Sequence, residues 1–211
     1  HGPENMGENN VLALASAAVE PSYVGWWSAA SFHGMTTQRP RMTTVAVLKQ
    51  RDSVTIEGHP VRFVRVSARK FFGFTDFEIY GRTARLSTPA KTVVDCIDRP
   101  ALAGGPSEIA RIVFGASRSI DSADIVADAL RIQSQSLLQR LGFLADLVGW
   151  DLPEADRARL RASIAPSTRS TFGSKERRPS DIGYVGDWGL FVHAAESDLL
   201  ADVPKMSQGQ G

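Results

Sequence analysis

Residues 87–115 read STPAKTVVDCIDRPALAGGPSEIARIVFG, and the fold is organised around them because they carry the start and stop signals of two helices. Thr88 is suited to cap a helix whose first residue is Pro89, and apolar residues then recur at helical spacing until Arg99-Pro100 ends the run. Gly104-Gly105 permits a sharp turn into a second short helix. The polar residues that this unit leaves for a partner are Lys91, Asp95, Asp98, Arg99 and Glu108.

The residues on the amino-terminal side of this unit favour strands, since β-branched and aromatic residues are punctuated there by glycine. The predicted strands are 43–48, 53–57, 61–66, 77–80 and 83–86. An antiparallel meander is their natural arrangement. The predicted helices are 8–20, 28–33, 121–132 and 134–148. The pattern therefore predicts an α+β fold, with a small, mostly antiparallel sheet in the first half covered by a mainly helical second half.

Composition narrows the class of protein. The chain has 211 residues, is 43% hydrophobic and carries a formal net charge of +1, so it can bury a core but has no global attraction for nucleic acid or anionic membrane. The apolar run 11–19 is too short to span a bilayer. Its one cysteine, Cys96, falls on an apolar helix face and is expected to be buried. We expect a cytoplasmic protein with no membrane partner.

Catalytic signatures are weak. Asp76 and Glu78 share one face of a predicted strand, as metal ligands of nucleases do, although a solvated strand face is the ordinary explanation of two such carboxylates. The four histidines have no metal-ligand spacing, and His33, next to Gly34, suits a helix C-terminus favoured by the dipole. We therefore predict no enzyme, cofactor or metal, and keep a metal-dependent nuclease using Asp76 and Glu78 as the alternative.

Local clusters of basic residues are the better functional signal. Arg62, Arg65, Arg69 and Lys70 lie close together beside two phenylalanines, and a second group decorates a predicted exposed loop over 165–181. Such clusters can neutralise phosphates without reading sequence. A solvated face with arginine stems packed on apolar neighbours is the alternative. Arg99 joins the predicted DNA- or partner-binding set, while its spacing of four from Asp95 favours an ordinary ion pair at the helix end.

Several blocks, taken in order, resemble the C-terminal domain of the AbiEi antitoxins, which belong to bacterial type IV toxin-antitoxin systems. The blocks are YVGWWSAA at 23–30, FHGM at 32–35, QRP at 38–40, TVAV at 44–47, RFV through KFFG at 62–73, residues 87–109, LGFL at 141–144 and WGL at 188–190. Each block alone is a weak signal, so the ordered set carries the resemblance, which spans roughly residues 20 to 195.

The resemblance implies a transcriptional regulator that represses its own operon and counters a nucleotidyltransferase-like toxin. Its expected partners are therefore operator DNA and that toxin. Family members bind DNA mainly through an N-terminal winged helix, and there is no room for one before Val11, so we expect a fragment or a protein that lacks the module. A bare protein-interaction module, with no DNA contact of its own, is a further alternative.

The same resemblance suggests how the chain is divided. Residues 1–10 are expected to be disordered or the remnant of a linker. Residues 11–195 would form the antitoxin-like domain, with a sheet part at 11–86 and a helical part at 87–195 that ends in a last strand near 188–192. Residues 196–211 would form a flexible tail.

Overall fold

The computed structural model describes residues 4–79 and 81–204. Its helices are α1 (Glu4–Ala17), α2 (Trp26–Phe32), α3 (Pro89–Asp98), α4 (Pro106–Ala116), α5 (Ser122–Ile132), α6 (Gln135–Leu147), α7 (Glu154–Ala162) and α8 (Glu196–Leu199). Its strands are β1 (Ser22–Val24), β2 (Thr43–Val47), β3 (Val54–Ile56), β4 (His59–Arg65), β5 (Phe74–Ile79), β6 (Arg82–Ser87), β7 (Ser170–Gly173), β8 (Gly183–Val185) and β9 (Leu190–His193). The predicted α+β class is confirmed.

The first six strands form one mixed sheet in the order β3-β4-β2-β1-β6-β5. Three of its ladders are antiparallel, but β2 pairs with β4, and β1 with β6, in parallel. The predicted meander is therefore wrong. Two features break the meander. Strand β4, and not β3, pairs with β2, which leaves β3 at the edge of the sheet. Strand β1, three buried residues after Pro21 that are too short to recognise as a strand from sequence, inserts between β2 and β6.

The two faces of this sheet are covered by different helices. Tyr23, Ala46 and Val64 belong to the core shared with α3, whereas their neighbours Val24 and Val45 pack in the cluster that contains α1. This alternation is the period of two that a strand imposes. Each fully buried aliphatic side chain of this kind stabilises the fold by about 1.5–3 kcal/mol. The sheet is thus a middle layer, and both of its faces are apolar.

The α3–α4 unit is built as its sequence predicts. The Thr88 hydroxyl accepts a hydrogen bond from the Lys91 backbone N–H at 3.4 Å, and Pro89 is the first helical residue. Gly104 and Gly105 both have positive φ, and a Cβ at Gly104 would lie 2.9 Å from the Trp27 ring. Every residue of α3 from position 90 to 97 is buried, including Cys96, whose burial was predicted.

The second half of the chain adds a small sheet of its own, in the order β7-β9-β8. Part of the predicted exposed loop 165–181 is strand β7. Its residue Phe172 is buried, and its backbone pairs in parallel with β9. The predicted last strand corresponds to β9, preceded by a 3₁₀ turn at Gly186–Trp188. Trp188 packs directly on Gly142 of α6, where a Cβ would lie 2.3 Å from its ring.

The predicted domain limits stay predictions. Helix α1 begins at Glu4 and α8 occupies the start of the predicted tail, while residues 1–3 and 205–211 lie outside the described residues. Within the described parts of the chain, the structure holds no helix with the length and hydropathy of a bilayer-spanning segment.

A buried ion pair joins α3 to the sheet. The Lys91 ammonium, which is fully buried, contacts the Asp95 carboxylate one turn later and donates to the Tyr23 hydroxyl at 3.1 Å. That hydroxyl donates in turn to the other Asp95 oxygen at 3.1 Å. Burial raises the pKa of Asp95, and the Lys91 ammonium opposes the rise. Lys91 also lies 4.9 Å from the centre of the Phe72 ring, which adds a cation–π contact.

Lys91 and Asp95 are thus not the partner-binding residues that the sequence pattern left open. Glu108 is also buried, and its Oε1 accepts a hydrogen bond from the Trp27 indole at 3.2 Å. Lys91, Asp95 and Glu108 are therefore used inside the protein. The charges of Lys91 and Asp95 are paired there, whereas the Oε2 atom of Glu108 is buried without a hydrogen-bond partner in the described part of the chain.

We predict that K91M lowers the free energy of unfolding by about 3–5 kcal/mol, because it leaves the Asp95 carboxylate buried without its cation. The double variant K91M/D95L should recover part of this loss, since it removes both charges. Urea denaturation measures both effects. The half-exposed pair of Arg85 and Asp76 is the control, and R85M should cost less than about 1 kcal/mol. Equal losses in K91M and R85M would contradict a structural role for the buried pair.

His33 generates a second prediction. It ends α2, as predicted, and its Nε2–H donates to the Ser87 carbonyl at 2.8 Å while its ring meets Phe32 and Phe77 edge-on. Burial lowers the pKa of His33. As the pH falls through about 6.5, the unfolded chain therefore takes up a proton that the folded chain refuses, and stability declines. H33Q should reduce this decline in urea denaturation between pH 7.5 and 5; an unchanged pH profile would refute the assignment.

Candidate nucleic-acid and partner interface

A groove of about 350 Å³ at one edge of the large sheet collects four arginines. Its walls are the chain just before β3, strand β4, and the residue that follows α3. The arginines are Arg51, Arg62, Arg65 and Arg99. The geometry follows from the β3–β4 hairpin, in which Val54 lies opposite Val61. The segment before β3 therefore runs beside the arginines of β4.

The groove is electropositive because its guanidinium groups are not neutralised. Among the residues that the structure describes, Arg51, Arg62 and Arg65 have no carboxylate partner, and Asp52 is the one acid of the groove wall. The Arg99 guanidinium donates to the Arg65 carbonyl at 3.4 Å. A carbonyl does not neutralise its charge, and a guanidinium has further N–H groups to donate to a second acceptor. Unpaired guanidiniums that share one groove suit phosphate or carboxylate groups, which accept two hydrogen bonds from each fork.

The other two predicted binding residues lie on a 3₁₀ turn, Ala68–Lys70, that follows β4. Arg69 donates to the Gln133 side chain at 3.1 Å, and the Lys70 ammonium lies 2.5 Å from the Asp98 carboxylate. Both contacts tie the turn to helices of the second half. The structure thus divides the predicted set: Arg62, Arg65 and Arg99 meet in the groove, while Arg69 and Lys70 have partners within the protein. The part that the five play in binding stays a prediction.

The predicted ion pair between Asp95 and Arg99 is wrong. Asp95 faces the core, where Lys91 and Tyr23 occupy both of its oxygens. Arg99 has left the helix, with φ −128° and ψ 76°, so its side chain is not stacked one turn above Asp95. The i, i+4 rule applies only where both residues are helical.

Arg51 is the groove residue that the sequence pattern missed. It lies eleven positions before Arg62 in a polar loop, and only the pairing of β3 with β4 brings the two together. The short basic run Lys49-Gln50-Arg51 was a signal, but one that surface loops commonly carry.

The carboxylates of the nuclease alternative are engaged by the neighbouring strand. Asp76 accepts a hydrogen bond from Arg85 Nε at 2.9 Å, and Glu78 accepts one from the Thr83 hydroxyl at 3.1 Å. Both pairs are directly opposite in the β5–β6 ladder. In residues 4–79 and 81–204, no three acidic, histidine or cysteine side chains converge to hold a metal ion. A metal-dependent nuclease needs a further ligand beside Asp76 and Glu78. The described residues place no third acidic, histidine or cysteine side chain there.

A larger groove, of about 880 Å³, lies between α1, α2 and the segment 34–43. Its wall mixes apolar residues, such as Leu12 and Phe32, with hydroxyl groups and the basic residues Arg39, Arg41 and His59. The basic residues of this larger groove are separated by apolar surface, whereas four arginines share the smaller groove. The smaller arginine groove is therefore the better anion site.

Comparison with solved structures supports the architecture. The crystal structure of the RV2827C protein from Mycobacterium tuberculosis is similar with a TM-score of 0.64 and 15% identity, covering 92% of this chain and 70% of that one. This likeness shows a shared fold. An antigenic nucleotidyltransferase-like protein from Paracoccidioides brasiliensis reaches a TM-score of 0.38 at 11% identity, covering 74% of this chain and 93% of that one, which is too low to support an argument.

No curated protein sequence matches the chain. A sequence profile does: that of the AbiEi antitoxin C-terminal domain matches residues 23–147, which is more than half of the chain. The matched range contains Tyr23 and Val24 of β1, the arginine groove and the buried Lys91 pair, and the resemblance drawn from the ordered sequence blocks is confirmed. This protein belongs to the AbiEi antitoxin C-terminal domain family.

Proposed function

We propose that this chain is the antitoxin part of a toxin-antitoxin pair, that it counters a nucleotidyltransferase-like toxin in the cytoplasm, and that it takes part in repression of its own operon. Membership of the antitoxin family supports the first half of the proposal. The arginine groove supports the second, because its guanidinium groups without carboxylate partners suit the phosphates of a DNA backbone.

The groove suits backbone contact rather than base reading. Arg62 and Arg65 are exposed and belong to a strand whose pairing with β2 and β3 holds it in place. Their charges are thus presented by a rigid element, and the binding cost of ordering them is reduced. The groove is lined by strand β4, the segment before β3 and the residue that follows α3. Phosphate contacts position a protein on DNA and leave sequence choice to other elements.

Lys70 has a different part in this proposal. Its ion pair with Asp98 is largely shielded, with side-chain exposures of 21% and 6%. The pair fastens the turn after β4 to the last residue of α3, next to Arg99. Lys70 therefore positions the groove, and its own charge is paired with the Asp98 carboxylate.

The toxin can be countered without catalysis. An antitoxin that binds its toxin needs a complementary surface, and the same unpaired guanidiniums would attract acidic residues of a protein partner. Binding to DNA and to the toxin would then compete for one groove, which couples repression to the amount of free toxin.

We predict that R62Q/R65Q weakens binding to a duplex carrying the operon's own promoter. Each lost phosphate contact should reduce the slope of log K against log salt by about 0.9, so the double variant should lose about 2. Fluorescence anisotropy over 50–300 mM salt measures the slope. The control R82Q/R118Q removes the same charge from exposed residues outside the groove and should leave the slope unchanged. Equal slopes in both variants would exclude the groove from DNA binding.

Co-expression tests the antitoxin role. The chain should restore growth to cells that express the nucleotidyltransferase-like gene encoded beside it, and K91M should fail because the fold is destabilised. R62Q/R65Q tests whether the groove also binds the toxin: loss of rescue by this variant, with rescue kept by R82Q/R118Q, is the expected result. Absence of rescue by the unaltered chain would contradict the proposed antitoxin function.

A further inference from the structure

The outer face of the small sheet carries two exposed aromatic residues. Tyr184 of β8 is 48% exposed and Phe191 of β9 is 39% exposed. They lie directly opposite each other in the ladder, and their ring centres are 4.9 Å apart with the planes inclined at 42°. Their neighbours Leu190 and Val192 are fully buried on the other face, so the register of β9 holds the rings outward.

Arginines border these rings. The Arg169 guanidinium lies 5.5 Å from the centre of the Tyr184 ring, and its Nη1 is held by the backbone carbonyls of Pro166 and Thr168 at 2.8 Å. Carbonyls orient the guanidinium without neutralising it. Beside Tyr184, a pocket of about 220 Å³ has Arg169, Arg161 and Trp188 in its walls.

The charge around the rings favours an anionic partner. The segment 165–182 holds four basic and two acidic residues. Arg178 is paired with Asp181 and Asp198, and the carboxylate of Asp187 lies 3.9 Å from Arg161. Of the other basic residues, Arg169, Lys175 and Arg177 have no carboxylate partner in the described part of the chain.

We propose that this face binds single-stranded nucleic acid, with Tyr184 and Phe191 as a stacking platform for bases and Arg169 as the contact for phosphate. Exposed aromatic rings on adjacent strands accept unpaired bases, which offer a free π-face, and the flanking arginine attracts the backbone. Paired bases in a duplex are already stacked and have no free face to offer. An anionic protein surface would use the arginine but would gain little from two open rings.

This site is separate from the arginine groove. Both of its aromatic residues, and Arg169, lie beyond residue 147, where the match to the antitoxin family ends. The inference therefore does not depend on the proposed antitoxin function, and either can fail without the other.

The experiment uses the whole chain and a fluorescein-labelled single-stranded 12-mer of thymidine or uridine, followed by anisotropy. Y184L and F191L keep an apolar side chain but remove the stack, and each should weaken binding at least fivefold, in line with about 1–3 kcal/mol per stacked base. R169Q should reduce the salt slope. F114L is the matched control, because Phe114 is a partly buried aromatic with an arginine, Arg118, 5.7 Å from its ring. It should bind as the unaltered chain does.

An abasic 12-mer with the same backbone separates the contribution of base stacking from that of phosphate contact. We expect it to bind at least tenfold more weakly than the thymidine oligomer, and a 12-base-pair duplex to gain nothing from Tyr184 or Phe191. Equal binding of abasic and base-bearing strands would overturn the proposal, as would unchanged affinity in Y184L and F191L, or binding too weak to detect at 50 mM salt. Self-association of the chain that Y184L abolishes would assign the face to a second copy instead. Both substitutions are at exposed positions, and unchanged urea denaturation curves confirm that the variants fold.

Discussion

A charged ammonium and a charged carboxylate sit together inside this protein, and the arrangement of the rest depends on them. Taking each ion out of water costs several kcal/mol, so Lys91 and Asp95 are tolerated only if every neighbouring group is in its place. Tyr23 supplies the hydroxyl that bridges them. Gly73 allows the chain to pass, since a Cβ there would lie 2.9 Å from Lys91 Cβ. These contacts fix the position of helix α3 relative to strand β1 and to the turn before β5.

The position of α3 determines which charged residues reach the surface, where they are available for binding. Because α3 is held flat against the sheet, its end brings Arg99 to the edge where Arg65 lies, and the Arg99 guanidinium reaches the Arg65 carbonyl. The same packing hides Glu108 behind Trp27. Charged residues of one short sequence unit are thus separated into those that hold the core and those that line the groove.

The two surfaces that remain have different chemistry. The arginine groove has cations and almost no exposed apolar surface, which suits the phosphates of a duplex or the carboxylates of a protein. The face of the small sheet combines open rings, Tyr184 and Phe191, with the oriented guanidinium of Arg169, which suits unpaired bases. One surface lies in the part of the chain that defines the family, and the other is built by the strands that follow it. Under the two proposals, the chain binds duplex and single-stranded nucleic acid at separate surfaces.

Features that depend on neighbours along the chain could be predicted from the sequence. The cap at Thr88, the turn at Gly104 and the positions of most helices and strands were predicted correctly, because caps, turns and periodicity act over a few residues. Tertiary packing set the order of the strands, the insertion of β1, the burial of Lys91 and the proximity of Arg51 to Arg99. These features join residues far apart in the chain, and their energies come from desolvation and long-range pairing, which no local pattern records.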